Sequence, residues 1–253
     1  MSDKQPIEEI LKFYLLSGVS ETCGSSPFAV SAVEKPTTTA RPAASEASIS
    51  AASALQNAGD ISASATTLAE LKQLLENFDG CSLKNTAANT VIGDGNPQAK
   101  IVFVGEAPGA EEDLAGRAFV GRSGKLLDKM MHAIGLNRDL VYICNILPWR
   151  PPGNRSPSDA EIAVCLPFLK RQIEIIRPEY IFALGAVAAN SLLGLGETMS
   201  HLRGHWLDYQ FADGQTAKVL ATYHPAYLLR TPAQKSKAWA DFLRFKKEIS
   251  QNN

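Results

Sequence analysis

No stretch of the 253 residues approaches the roughly 18 consecutive apolar side chains of a membrane-spanning helix, which excludes that kind of membrane protein. The opening residues Met1-Ser2-Asp3-Lys4 lack the basic-then-apolar order of a secretory signal, so a cytoplasmic protein is expected. An excess of one charge is also missing. The 25 basic and 26 acidic residues leave a formal charge of -1, and any contact with nucleic acid must therefore come from a local patch. Cysteine is sparse: Cys23, Cys81, Cys144 and Cys165 are widely spaced, without a Cys-x-x-Cys pair, and a cytoplasmic chain keeps such thiols reduced.

What is present divides into three parts. In residues 1–35, Ile7, Ile10, Leu11, Tyr14 and Leu15 recur at helical spacing, predicting a short amphipathic helix over Pro6–Gly18. Its functional reading is a docking peptide for a protein partner; the alternative is a leader that packs weakly or not at all. Residues 36–65 are dominated by Ala, Ser, Thr and Pro, with too little large apolar surface to offset ordering entropy, so a disordered linker is expected. Residues 66–253 carry the globular pattern.

That domain starts with a helix over Thr67–Phe78 whose Leu68, Leu71, Leu74 and Leu75 form one stripe. Four apolar runs then read as buried strands: Lys100–Val104, Leu140–Cys144, Tyr180–Leu184 and Lys218–Thr222. Between them lie helical patterns from Ser123 to Gly135, from Ser158 or Asp159 to Arg177 across Pro167, and after Gly185. A last helix spans about Ala233–Ser250, with Trp239, Phe242 and Phe245 as its expected core face. Strands alternating with helices predict an α/β fold, a three-layer α/β/α sandwich around a four-stranded parallel sheet.

In an open parallel sheet, ligands bind beyond the carboxyl ends of the strands, where loops and helix N-termini converge. Those ends carry Gly105-Glu106-Ala107-Pro108-Gly109 with Glu111, Glu112 and Asp113, then Asn145, Gly185, and His224-Pro225-Ala226-Tyr227-Leu228-Leu229-Arg230. The first loop lacks the third glycine of a dinucleotide fingerprint and the Gly-Lys-Ser/Thr ending of a phosphate loop. Its acidic cluster would repel phosphate, so a neutral base with an amide edge suits these residues better than a nucleotide cofactor.

Residues Thr67–Ile249 resemble family 4 of the uracil-DNA glycosylase superfamily. The likeness is carried by Gly105–Gly109 with Glu112-Asp113, Gly116-Arg-Ala-Phe-Val-Gly121, Asn145, Arg150-Pro-Pro-Gly-Asn-Arg155, Ala183-Leu-Gly185 and His224–Arg230, in that order. The resemblance implies that uracil is flipped out of DNA and its N-glycosidic bond hydrolysed, initiating base excision repair. It assigns His224 to charge growing on uracil O2, Asn145 to the O4 and N3–H edge, and Phe119 and Ala107 to the bound base. It gives Glu106 and Glu112 the task of positioning water and stabilising positive charge on the sugar; Ala107 stands where other families have an activating Asp. Tyr227, Leu228 and Leu229 would wedge the base stack, and Arg230, Arg117 and Arg155, with Arg122, Lys125 and Arg150, would meet phosphate. His132, His201 and His205 read as structural or surface groups.

Family 4 enzymes usually hold a [4Fe-4S] cluster on four cysteines. Cys81 and Cys165 match two of those positions, but Phe78 and Trp149 stand at the other two and cannot ligate iron. The expectation is that packing replaces the metal and leaves Cys81 near Cys165, because Cys144 in a buried strand and Cys23 before the linker are poor substitutes. The competing reading within this fold is a relative that traps uracil-DNA without turnover. Such relatives carry an Arg-rich, His-containing insertion after the glycine motif, whereas Gly116–Gly121 runs without one here.

Overall fold

The computed structural model describes residues 46–251, so the helix expected over Pro6–Gly18, Cys23 and the first part of the expected linker lie outside the described residues. The remainder of that linker is corrected. Glu46–Ser64 forms a helix, α1, packed against the helix Asp159–Ile176. Alanine is the strongest intrinsic helix former, and small side chains let two helix axes approach closely. Ala58 is fully buried, Ser62 nearly so, and the Arg171 Nε–H donates to the Ala65 carbonyl at 2.8 Å. Composition alone therefore misread a helix whose buried face is small rather than apolar in bulk.

Helix α2 (Leu68–Asn77) follows, opened by a reciprocal cap in which Thr67 Oγ1 accepts from the Glu70 amide and the Glu70 carboxylate accepts from the Thr67 amide. The sheet comprises β1 (Asp94–Gly95), β2 (Ile101–Gly105), β3 (Tyr142–Asn145), β4 (Tyr180–Leu184), β5 (Trp206–Gln210) and β6 (Thr216–Thr222). Their order is β1-β3-β2-β4-β6-β5. The inner four are parallel and are the expected strands; β1 and β5 pair antiparallel at the two edges, raising the expected four to six. Both additions escape a search for apolar runs. β1 is two residues long and contains glycine, and β5 is a half-exposed edge strand bearing Asp208 and Gln210.

Alternation along the strands assigns the two faces. Val102, Val104, Ile181, Ala183, Val219 and Ala221 join the core cluster that includes Leu71 and Leu75 of α2. Phe168, Leu169 and Ile173 on the long helix Asp159–Ile176 belong to the same cluster. Ile101, Phe103, Ile143, Phe182 and Leu220 join a second cluster with Leu127, Met131, Phe242 and Phe245. Between β2 and β3 lie α3 (Ala110–Ala115) and α4 (Arg122–Ala133). The long helix, α5, runs through Pro167 as one element and starts at a capping box formed by Ser158 and Glu161. The short helices α6 (Ala186–Leu193), α7 (Met199–Leu202) and α8 (Pro225–Arg230) follow strand ends or loops, and α9 (Lys235–Gln251) closes the chain. Its buried face is Ala238, Asp241, Phe242 and Phe245; Trp239, expected in the core, is 38% exposed because it lies one position off that stripe.

Ala58→Glu is expected to lower stability by about 1–3 kcal/mol in urea denaturation, since it drives an unpaired carboxylate into the α1–α5 contact. An unchanged midpoint would show that α1 does not pack there.

Candidate active site

The parallel strands run β3-β2-β4-β6, so the chain leaves β2 toward one side of the sheet and β4 toward the other. Loops diverge at such a point and open a crevice. A cavity of about 640 Å³ occupies it, lined among others by Glu106, Phe119, Asn145, Tyr223 and His224. Ala107, Glu112, Arg155, Tyr227 and Arg230 also reach it.

Asn145 ends β3 directly opposite Gly105, the last residue of β2. It is 5% exposed, and its Oδ1 is buried without a hydrogen-bond partner among the described residues. A Cβ on Gly105 would stand 2.5 Å from both that oxygen and Phe119 Cζ, so only glycine lets the amide and the ring close over the strand end. Phe119 is buried with φ of 53°, a left-handed conformation that costs a non-glycine residue about 1–3 kcal/mol. Arg138 holds it there by donating to the carbonyls of Ala118 and Phe119 while pairing with Asp94 and Asp128.

His224 follows β6 and caps α8. Its Nδ1 accepts from the Ala226 amide at 3.1 Å, so the neutral ring carries its proton on Nε2, a buried atom with no partner among the described residues. The capping reading of this histidine therefore holds for Nδ1, and Nε2 is left out of that contact. Burial, assisted by the Arg230 cation, lowers its pKa from 6.5 to about 4. The group is therefore a neutral donor at physiological pH. Its ring centroid lies 5.6 Å from that of Phe119.

The two glutamates separate by environment. Glu112 is buried, and its oxygens accept from the Gly109 amide at 3.1 Å and the Gly121 amide at 2.8 Å. Both ends of the loop are thereby clamped, while Glu112 still borders the cavity and each of its oxygens keeps a second lone pair. Asp113 does similar work on the Ala88 and Asn89 amides. Glu106 is only partly buried and borders the cavity; burial raises its pKa, and the Arg230 charge opposes the rise.

On the rim, Leu228 is fully buried and cannot serve as a wedge, because α8 turns that position into the core. Leu229, 36% exposed, and Tyr227, its ring tilted against that of Tyr223 with centroids 5.2 Å apart, remain available. Arg155 lines the cavity but forms a two-point pair with Glu161 at 2.6 and 2.9 Å, which lowers the Glu161 pKa to about 2. Arg117 lies outside the lining and pairs with Asp94 at 3.1 Å; Arg230, like Arg155, is exposed at the cavity edge. His132, His201 and His205 are exposed and do not line the cavity. Sequence reasoning missed Tyr223, Asn154 and Ser123 in the lining, and Arg138 behind it. The Tyr223 signal was there, immediately before His224; Arg138 gave none, because its partners are 10 to 44 residues away.

The four positions associated with an iron-sulfur cluster do converge. Phe78, Cys81, Trp149 and Cys165 are buried in one apolar cluster. Phe78 packs on Phe168 with centroids 5.0 Å apart, Trp149 Nε1–H donates to Thr90 Oγ1 at 3.1 Å, and the Cys81 and Cys165 sulfurs are 3.9 Å apart. Among the described residues no group of three or more His, Cys, Asp or Glu side chains is arranged to hold a metal ion. Two thiols beside two large rings do not fit a cluster that needs four thiolates.

The His224 imidazole is expected to titrate with a midpoint near pH 4 by NMR; a midpoint near 6.5 would mean that it is not buried as described. In Arg230→Ala, removing the cation disfavours the Glu106 carboxylate, so its titration moves to higher pH. An unchanged or lower Glu106 midpoint would contradict the proximity of the two.

Residues 92–243 match the family model described as the uracil DNA glycosylase superfamily. The chain is 45% identical over 166 residues to the type-4 uracil-DNA glycosylase of Archaeoglobus fulgidus, covering 64% of this chain and 83% of that protein. It is 47% identical over 151 residues to the type-4 enzyme of Thermotoga maritima, covering 59% and 77%. Against the type-4 enzyme of Pyrobaculum aerophilum the identity is 39% over 182 residues, covering 70% and 92%. With its fold, its strand-end cavity and these likenesses, the chain belongs to the uracil DNA glycosylase superfamily, in its type-4 group.

Proposed function

We propose that the cavity receives a uracil flipped out of DNA and that its residues drive hydrolysis of the bond between uracil N1 and the sugar C1′. The observation carrying this reading is the pair of buried, unpartnered polar atoms, His224 Nε2 and Asn145 Oδ1, borne by two residues that line one cavity. They are complementary to uracil. The Nε2–H is a donor for a uracil oxygen on which negative charge grows as the bond breaks, and Oδ1 is an acceptor for N3–H, with the amide NH₂ serving O4. Cytosine has no N3–H and presents an amino group in place of O4, so binding it would leave buried polar atoms unpaired, a penalty of about 1–3 kcal/mol per group.

Phe119 supplies a stacking face for the base. Glu106, whose carboxylate form the Arg230 charge favours, offers negative charge to the oxocarbenium-like sugar and orients the attacking water, whose oxygen joins C1′ and whose proton passes to the Glu106 carboxylate while uracil leaves as the anion. Tyr227 and Leu229 fill the gap in the stack, and Arg230 meets phosphate. The mismatch between two thiols and a four-thiolate cluster supports an enzyme that works without iron. DNA is its partner, and we take it to act as a monomer in the cytoplasm, with the N-terminal segment as the part suited to a protein partner.

No helix among the described residues is long and apolar enough to cross a membrane. Against the trapping alternative, Gly116–Gly121 joins α3 to α4 without an insertion. On a uracil-containing oligonucleotide, alkali after incubation is expected to give strand scission with no protein adduct on a denaturing gel. His224→Ala is expected to lower the single-turnover rate about 10²- to 10³-fold, and Asn145→Asp by at least that much. Folded variants cleaving at the unsubstituted rate would reject the assigned site; an adduct without scission would favour trapping.

A further inference from the structure

We propose that Cys81 and Cys165 form a peroxide-reactive dithiol, a covalent modification site that closes into an internal disulfide between the turn after α2 and the middle of α5. The two sulfurs are already in contact at 3.9 Å although 84 residues separate them in the chain. The side chains around them, Phe78, Trp149 and Phe168, are apolar or, for the indole N–H, paired with Thr90, while the Leu83 amide also donates to Cys81 and the Glu161 charge reaches both thiols. Cys144, the third described cysteine, sits within β3, where burial pushes its thiol far above the ordinary range.

The pair is asymmetric, as a two-step oxidation requires. Cys165 is fully buried and donates its S–H to Cys81, which stands next to the exposed Gly80 and Asp79 and is 4% accessible. That contact leaves the Cys165 sulfur poised behind Cys81 for the second step. The Cys81 thiolate attacks one oxygen of hydrogen peroxide, the O–O bond breaks, and hydroxide leaves to take up the proton Cys81 has lost. The Cys165 sulfur then displaces the hydroxyl of the Cys81 sulfenic acid, and the Cys165 proton leaves with it as water. Two thiols are oxidised, one peroxide is reduced to two waters, and no other reactant is needed.

The bond would brace more than two residues. The segment following Cys81 donates to Asp113 through the Ala88 and Asn89 amides, to the Pro148 carbonyl through the Val91 amide, and accepts from Trp149 at Thr90. It thus buttresses the loop carrying Pro151 and Asn154 into the cavity. Phe78 and Trp149 stand beside the two thiols in the same cluster, and a bond between the sulfurs would join the turn after α2 to α5.

The test is to treat the folded full chain with stoichiometric hydrogen peroxide and map its peptides without reduction. A Cys81–Cys165 linked peptide is expected, together with a rise in Tm on the order of 10 °C that dithiothreitol reverses, since the link closes a long loop. Cys81→Ser and Cys165→Ser should lose both effects; if either fails to fold, the map of the unsubstituted chain still decides. Recovery of both thiols unlinked, Cys81 carried on to a sulfinic acid, a link to Cys23 instead, or stoichiometric iron and sulfide in anaerobically purified protein would each overturn the proposal. None of these measurements uses DNA, so they stand apart from the glycosylase reading.

Discussion

Two buried polar atoms without partners govern the architecture. Leaving Asn145 Oδ1 and His224 Nε2 unsatisfied costs about 1–3 kcal/mol each, and a fold tolerates that only if the surroundings prevent the side chains from turning away to find partners. The surroundings do so from several directions. Gly105 lets Phe119 and Asn145 close over the end of β2, the Ala226 amide fixes the His224 ring through its other nitrogen, and Arg138 holds Phe119 in its left-handed conformation. The site is thus held in place by Gly105, the Ala226 amide and Arg138, and on the proposed reading its polar atoms need no reorganisation when charge develops.

The same arrangement explains why carboxylates crowd this loop without duplicating one another. Glu112 and Asp113 are turned inward onto backbone amides and set the path of the chain, while Glu106 faces the cavity, where burial and Arg230 pull its protonation in opposite directions. On the far side of the sheet, Phe78 and Trp149 join the aromatic and aliphatic packing around α5. The pocket opens at the strand ends, and packing on both faces, Phe168 and Ile173 on one and Phe103, Phe182 and Phe242 on the other, keeps those ends in register.

Much of this was legible in the residues. The four central strands follow from β-branched and apolar runs, and the convergence of their ends follows from the topology, so the residue pattern alone groups Asn145, Glu106 and His224, which line one cavity. The failures have physical causes. Helix α1 buries Ala58 and Ser62, a small-residue face that composition reads as disorder. The edge strand β5 is half exposed and lacks an apolar run, and Leu228 points inward because a six-residue helix has a core side that proximity in sequence does not show. Arg138 serves the site through carbonyl oxygens, and backbone acceptors leave no trace in a motif.

Binding of free uracil to the uniformly ¹⁵N-labelled protein tests the central claim most directly, because it isolates the pocket from DNA bending and phosphate contacts. The account predicts that the Asn145 carboxamide and the His224 ring nitrogens shift together as uracil saturates, and that cytosine leaves both in place. Saturable uracil binding that moved neither side chain would contradict it.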